Sequence, residues 1–108
     1  MVRLALTTCP DENAAKTLAD TLVERGLAAC VTRLPGARSV YRWKGRLCDD
    51  AEVQLLIKTT EARETALREV IAELHPYEEP ELIILPVTGG SQGYLQWIED
   101  ELADTPRG

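Results

Sequence analysis

The chain alternates between short segments with strand-like spacing of hydrophobic residues and longer segments with helical spacing. Alternation over residues 2–7 predicts a half-buried first strand. Pro10 and Asp11 suit a helix start, because a proline and an acidic side chain are both favoured in the first turn. Apolar residues then recur every three or four positions until Gly26, which predicts the end of this first helix.

A long hairpin is predicted next. Residues 28–34 have the composition of a second strand, and Pro35-Gly36 interrupts it in a way that indicates a bend or bulge. The strand resumes over residues 39–43, Lys44-Gly45 predicts a tight turn, and residues 52–58 predict the returning strand. This hairpin is longer than the core of a small monomer requires.

The last third of the chain predicts a helix, a strand and a second, shorter helix. Thr60 is a candidate cap for the second main helix, whose apolar stripe runs from Leu67 to Leu74. Residues 82–87 form a strand that is apolar on both sides. After Gly89-Gly90 an amphipathic helix follows, and the tail from residue 104 lacks any pattern.

The order βαββαβ plus a terminal helix predicts an α+β fold, the ferredoxin-like split βαβ sandwich, with both main helices on one face of the sheet. The other face then presents residues such as Ala5, Cys30 and Leu56. A sheet face without covering helices is usually buried by another subunit. We therefore expect one domain, residues 1–108, that assembles with copies of itself.

Composition and charge exclude several classes of protein. The 108 residues carry a net charge of −6, whereas nucleic-acid binding needs a concentrated basic face. Apolar runs such as residues 82–85 are too short to span a membrane, and residues 1–7 contain no signal-peptide core. Three cysteines without a Cys-x-x-Cys motif argue against a disulfide framework and a structural zinc site. We expect a cytoplasmic protein with neither nucleic-acid nor membrane partners.

The run His75-Pro76-Tyr77-Glu78-Glu79-Pro80 contains the only histidine and is the strongest candidate for chemistry. Two prolines fix its backbone. One interpretation is a rigid helix-to-strand connection whose histidine caps the helix. The other is a metal or ligand site.

Several motifs together resemble those of the CutA divalent-cation-tolerance family. They occur in the family's order and spacing over nearly the whole chain, and they are Ala28-Ala29-Cys30-Val31, Ser39-Val40-Tyr41-Arg42-Trp43-Lys44-Gly45, Glu52 through Thr60, His75 through Pro80, Leu85-Pro86-Val87 and Tyr94-Leu95-Gln96-Trp97-Ile98. The resemblance implies a ferredoxin-like subunit in a homotrimer, with the long hairpin reaching toward a neighbour. It also implies a role in tolerance of divalent cations, copper most often.

The copper site attributed to the family uses a cysteine at the end of strand one and two consecutive histidines. The corresponding positions here are Thr7, Leu74 and His75, so only His75 is retained, and Cys9 is a candidate substitute. Because Cu(II) favours several nitrogen or oxygen donors, we expect at most weak binding of copper or another divalent cation, centred on His75.

Two further cysteines have a structural and a chemical interpretation. We expect Cys30, in the middle of a strand, to be a small buried hydrophobic residue rather than a ligand. Cys48-Asp49-Asp50 offers either a loose divalent site or an ordinary solvated turn.

Four functions remain open at this point. The first is a non-enzymatic, metal-binding trimer. The second is a small-ligand sensor like the PII signalling proteins, with Trp43, Glu52, Lys58, Tyr77 and Glu78 lining an intersubunit cleft. In the alternative, Lys58 and Glu52 form a structural ion pair, and the chain lacks a glycine-rich phosphate loop. The third is a scaffold for other chains, and the fourth, an enzyme, has no nucleophile–base pair beyond a hypothetical Cys–His contact.

Overall fold

The computed structural model describes residues 1–103, and they form a four-stranded antiparallel sheet with three helices. The elements are β1 (Val2–Cys9), α1 (Glu12–Glu24), β2 (Cys30–Trp43), β3 (Arg46–Thr60), α2 (Glu64–Leu74), β4 (Ile83–Pro86) and α3 (Gln92–Glu101). The strands lie in the order β2-β3-β1-β4. This order is that of the split βαβ unit, so the predicted ferredoxin-like fold is confirmed. The predicted loose tail lies outside the described residues.

No helix within residues 1–103 is long and apolar enough to cross a lipid bilayer. The longest of them, α1, has 13 residues, whereas a membrane-spanning helix needs about 20.

Both ends of α1 are where the sequence predicts them. The Asp11 side chain accepts a hydrogen bond from the backbone N–H of Ala14 at 2.8 Å and so caps the helix. Gly26 ends the helix with φ of 70°, a left-handed conformation that costs glycine little.

The predicted start of α2 at Thr60 is wrong. Thr60 is the last residue of β3, where it pairs with Val2, and its side chain makes no capping hydrogen bond. A single 3₁₀ turn, Glu61–Arg63, separates this strand from the helix. Pairing with β1 therefore extends β3 past the position at which a cap would start the helix.

The hairpin is continuous and longer than its two predicted halves. β3 begins at Arg46, opposite Trp43, and pairs with β2 as far as Lys58, opposite Cys30. Lys44 and Gly45 have φ of 50° and 78°, as a two-residue turn of type I′ requires. The register shifts between Leu34 and Ala37, which confirms the predicted irregularity at Pro35-Gly36.

The assignment of Ala5 to the uncovered face is wrong, because β1 is turned the other way. Ala5 is fully buried beneath α1 and α2, opposite Ile57 and Ile84. Nearly every side chain of β1 is apolar or small, so alternation alone does not fix its orientation. The one charged residue, Arg3, extends to Glu61 and Glu64 on the helix side.

The opposite face of the sheet is apolar and mostly uncovered. We call it the open sheet face, and its large apolar members are Leu4, Leu6, Leu34, Leu56, Ile83 and Leu85. Three of them are strongly exposed: Leu34 (44%), Ile83 (49%) and Leu85 (42%). The predicted apolar character of β4 on both sides is confirmed, because Ile84 packs into the core under the helices.

The third helix covers one end of this face, which the sequence does not predict. Ile98 and Leu102 pack on Val2 in a second apolar cluster. Val2 shares its face with Leu4 and Leu6, so only α1 and α2 lie on the helix side of the sheet. The uncovered area is therefore smaller than predicted, but it remains continuous across the strands.

Candidate functional site

His75 lies at the end of α2, buried to 7% exposure, where the chain crosses back toward the sheet. Its backbone N–H donates to Ile71 O at 2.9 Å and closes the last turn of the helix. Its own conformation is extended, φ −72° and ψ 135°, as the following Pro76 demands. The sequence run thus places an imidazole against the end of β1.

Both ring nitrogens of His75 are already hydrogen-bonded. Nδ1 accepts the backbone N–H of Tyr77 at 3.1 Å, so the ring proton must be on Nε2, which lies 2.7 Å from Thr8 O. The imidazole is therefore neutral and ties the α2–β4 connection to β1. This geometry matches the structural interpretation of the histidine, and a metal ion would have to displace one of these bonds.

Cys9 lies beside this imidazole, with its Sγ 4.0 Å from Nε2. Its side chain is fully buried. Burial, followed by the nearby charges of Asp11 and Glu52, raises the pKa of Cys9 to about 11. The thiol is thus protonated at neutral pH, whereas a metal ligand or nucleophile must be a thiolate.

Alkaline pH should destabilise the protein through Cys9. The folded state holds the thiol proton up to a pKa of about 11, whereas an unfolded chain releases it near 9.0. Stability begins to fall near pH 9 and should be lower by about 1.9 kcal/mol at pH 10.5, and the whole difference of about 2.7 kcal/mol is reached only above pH 11. Urea unfolding at pH 8 and pH 10.5, at one subunit concentration, measures the loss.

The matched variant for this prediction is Cys9→Ala, which should lose much less stability over the same pH interval. The pKa of Tyr77 is also raised, so some alkaline loss should persist in Cys9→Ala and become smaller in a double variant with Tyr77→Phe. Equal losses in wild type and Cys9→Ala would show that the buried thiol is not responsible.

Glu52 and Tyr77 complete the group around His75. The Tyr77 hydroxyl donates to Glu52 Oε2 at 2.7 Å, and the Tyr77 ring lies 4.9 Å from the imidazole between ring centres. Glu52 is 8% exposed. Burial and the Glu52 carboxylate raise the pKa of Tyr77, which keeps this phenol a hydrogen-bond donor. Both residues belong to the cleft predicted from the sequence, but the hydrogen bond between them was not predicted.

The alternative ion pair between Lys58 and Glu52 is not formed. The two residues are six positions apart on β3, about 20 Å at the rise of a strand. The Lys58 ammonium instead donates to Thr32 Oγ1 and to Cys30 Sγ.

The five predicted cleft residues do not converge within one chain. Glu52 and Tyr77 touch, and Glu78 is exposed beside them. Trp43 is 57% exposed at the end of the hairpin, again about 20 Å along the strands from Glu52. Lys58 lies on the open sheet face.

Of the two remaining cysteines, Cys30 differs from its prediction as a small buried hydrophobic residue. Cys30 is half-buried and contacts the Lys58 ammonium, so it is not simply a buried hydrophobic residue. Near Cys48, Asp49 binds Arg38 and Asp50 accepts from Tyr41. No three His, Cys, Asp or Glu side chains within residues 1–103 are grouped so that they could hold a metal ion.

The comparisons with known proteins agree with this fold. A family model described as CutA1 divalent ion tolerance protein matches residues 3–101. The chain belongs to the CutA1 family. It is 50% identical to the divalent-cation tolerance protein CutA of Pectobacterium atrosepticum, over 90% of this chain and 88% of that one.

Two solved structures of CutA1 relatives superpose closely. The divalent cation tolerance protein of Thermus thermophilus is 44% identical, with a TM-score of 0.90 over 94% of this chain and 98% of its own. CutA of Archaeoglobus fulgidus, described as periplasmic, is 27% identical, with a TM-score of 0.90 over 94% of this chain and 99% of its own. The resemblance seen in the sequence is thereby confirmed.

Proposed function

We propose that this CutA1 protein supports divalent-cation tolerance as a non-enzymatic, cytoplasmic homotrimer that binds copper or another divalent cation only weakly. The open sheet face carries the proposal. Its exposed leucines and isoleucines form an apolar surface larger than isolated exposed residues would give, and such surfaces mark subunit interfaces. Two further copies of the chain would bury it.

A non-enzymatic role is supported by the Cys9–His75 pair. An activated cysteine needs a base that can take its proton. Here Nδ1 of His75 accepts from Tyr77, and Nε2 donates to the backbone, so neither nitrogen is free to accept from Cys9.

The same contacts explain why metal binding would be weak. Copper prefers several nitrogen or oxygen donors, and the described residues around His75 offer no ready set of them. Coordination through Nε2 would break its 2.7 Å bond to Thr8 O, and coordination through Cys9 would first remove a proton of high pKa. We place the contact at His75, with an affinity no better than micromolar, about −8 kcal/mol.

The test is native mass spectrometry of metal-free protein, alone and with limiting Cu(I) or Cu(II). We expect a three-subunit species that takes up metal weakly, and His75→Ala should abolish this uptake while leaving the trimer. Cys48→Ala is the matched control, because Cys48 is a half-buried thiol away from the cluster. Uptake unchanged in His75→Ala would contradict the metal proposal, and a monomeric wild type would contradict the assembly.

The small-ligand sensor and the scaffold stay predictions. Among residues 1–103 of one chain, no hydrogen bond or ion pair joins Trp43 or Lys58 to Tyr77, so a cleft built from all of these residues would require neighbouring subunits. The cytoplasmic location also stays a prediction.

A further inference from the structure

Lys58 places a positive charge on the open sheet face and forms no ion pair with any carboxylate in residues 1–103. Its ammonium is half-buried and donates to Thr32 Oγ1 at 2.5 Å and to Cys30 Sγ at 3.8 Å. Neither acceptor is a carboxylate. A desolvated cation without a negative partner is unfavourable, so burial of this face would demand one.

The group around Lys58 has more donors than acceptors. The Thr32 hydroxyl accepts from Lys58, so its own proton is available to another acceptor. Burial and the charge and hydrogen bonding of Cys30 raise the pKa of Tyr94 on α3, so this phenol keeps its proton. An oxyanion would satisfy the free protons and the charge at once.

We propose that Lys58 and Thr32 bind a carboxylate that a second copy of this chain contributes when the open sheet face is buried. This inference rests on the proposed self-assembly and names the polar contact that would fix its register. A free anion is the alternative occupant, and two surface depressions of residues 1–103, one beside α3 and one beside α1, are lined by neither Lys58 nor Thr32.

Charge and position favour a second copy as the source. The chain has 18 acidic and 12 basic residues, so its surface offers carboxylates in excess. Lys58 is directly continuous with the apolar residues of the face, since it pairs with Leu4 across β1 and lies two positions from Leu56. A neighbour that covers these leucines necessarily approaches the ammonium.

The deciding variant is Lys58→Met, because the dissociation constant of the trimer should change in opposite directions with and without a carboxylate beside Lys58. If no carboxylate meets Lys58, methionine makes the face more apolar and the trimer tighter. If a carboxylate does, the variant leaves that anion buried without a partner, and the dissociation constant should rise at least tenfold. Sedimentation velocity over a concentration series measures the constant.

Lys16→Met is the matched control, because Lys16 is exposed on α1 and also loses one positive charge. We expect Lys16→Met to assemble with the dissociation constant of the wild type, because the lost charge lies on α1 and away from the open sheet face. Unchanged or tighter assembly of Lys58→Met overturns the inference while leaving the trimer itself established. A trimer that forms only when acetate or inorganic phosphate is added to dialysed protein also overturns it, in favour of a free anion. A wild type that never associates removes the proposed assembly instead.

Discussion

Replacing Ala5 with aspartate is expected to abolish folding. Ala5 is fully buried in the middle of β1, between Ile57 and Ile84, within the cluster that α1 and α2 cover. A carboxylate there would be buried among apolar side chains, whether ionised or protonated, and would also exceed the space that a methyl group occupies. We expect a loss of at least about 4 kcal/mol, most of the stability of an ordinary domain.

The matched control is Ala51→Asp, the same change at an exposed position of β3. It should alter the free energy of unfolding by no more than about 0.5 kcal/mol. Circular dichroism and urea unfolding of the two variants provide the comparison. A cooperatively folded Ala5→Asp with near-normal stability would show that Ala5 lies on the face without covering helices, as the sequence pattern predicts.

This substitution tests the step at which sequence reasoning failed. The spacing of hydrophobic residues predicts the order of strands and helices and the hairpin turn, because glycines with positive φ and the Asp11 cap act locally. Orientation of β1 is different. Both sides of that strand are apolar or small, so its orientation depends on which side the helices cover, and Arg3 at its edge reaches ion-pair partners on the helix side.

The candidate site was predictable in identity but not in detail. The lone histidine in a proline-containing run identified the α2–β4 connection, and the resemblance to the family's copper site named Cys9, the last residue of β1, as its possible partner. The direction of each hydrogen bond depends on backbone groups of Thr8 and Tyr77 that every residue possesses, so no side-chain pattern reveals them. The spatial relation between Tyr94 and Cys30 was not predicted, because the sequence does not show that α3 packs on the open sheet face.

Assembly, rather than folding, should respond to an aspartate one position further along β1. Leu6 lies on the open sheet face, paired with Leu56 and Ile83, and is only partly buried in the single subunit. A carboxylate at this position stays in contact with water in the monomer, so Leu6→Asp should fold. In the proposed trimer it would be buried without a partner in every copy.

The expected result for Leu6→Asp is therefore a folded monomer at concentrations where the wild type is trimeric. Burial of each unpaired carboxylate costs several kcal/mol, and every 1.4 kcal/mol changes an equilibrium constant tenfold. The dissociation constant of the trimer should therefore rise by at least about a hundredfold. Val23→Asp is the matched control, since Val23 is 41% exposed on α1, on the helix side of the sheet. Sedimentation velocity should find this control trimeric, and circular dichroism should show both variants folded. Aspartate at Ala5 and at Leu6, neighbouring residues of β1, would then affect folding and assembly separately. A trimeric Leu6→Asp would instead place the subunit contacts elsewhere and leave the open sheet face without its proposed role.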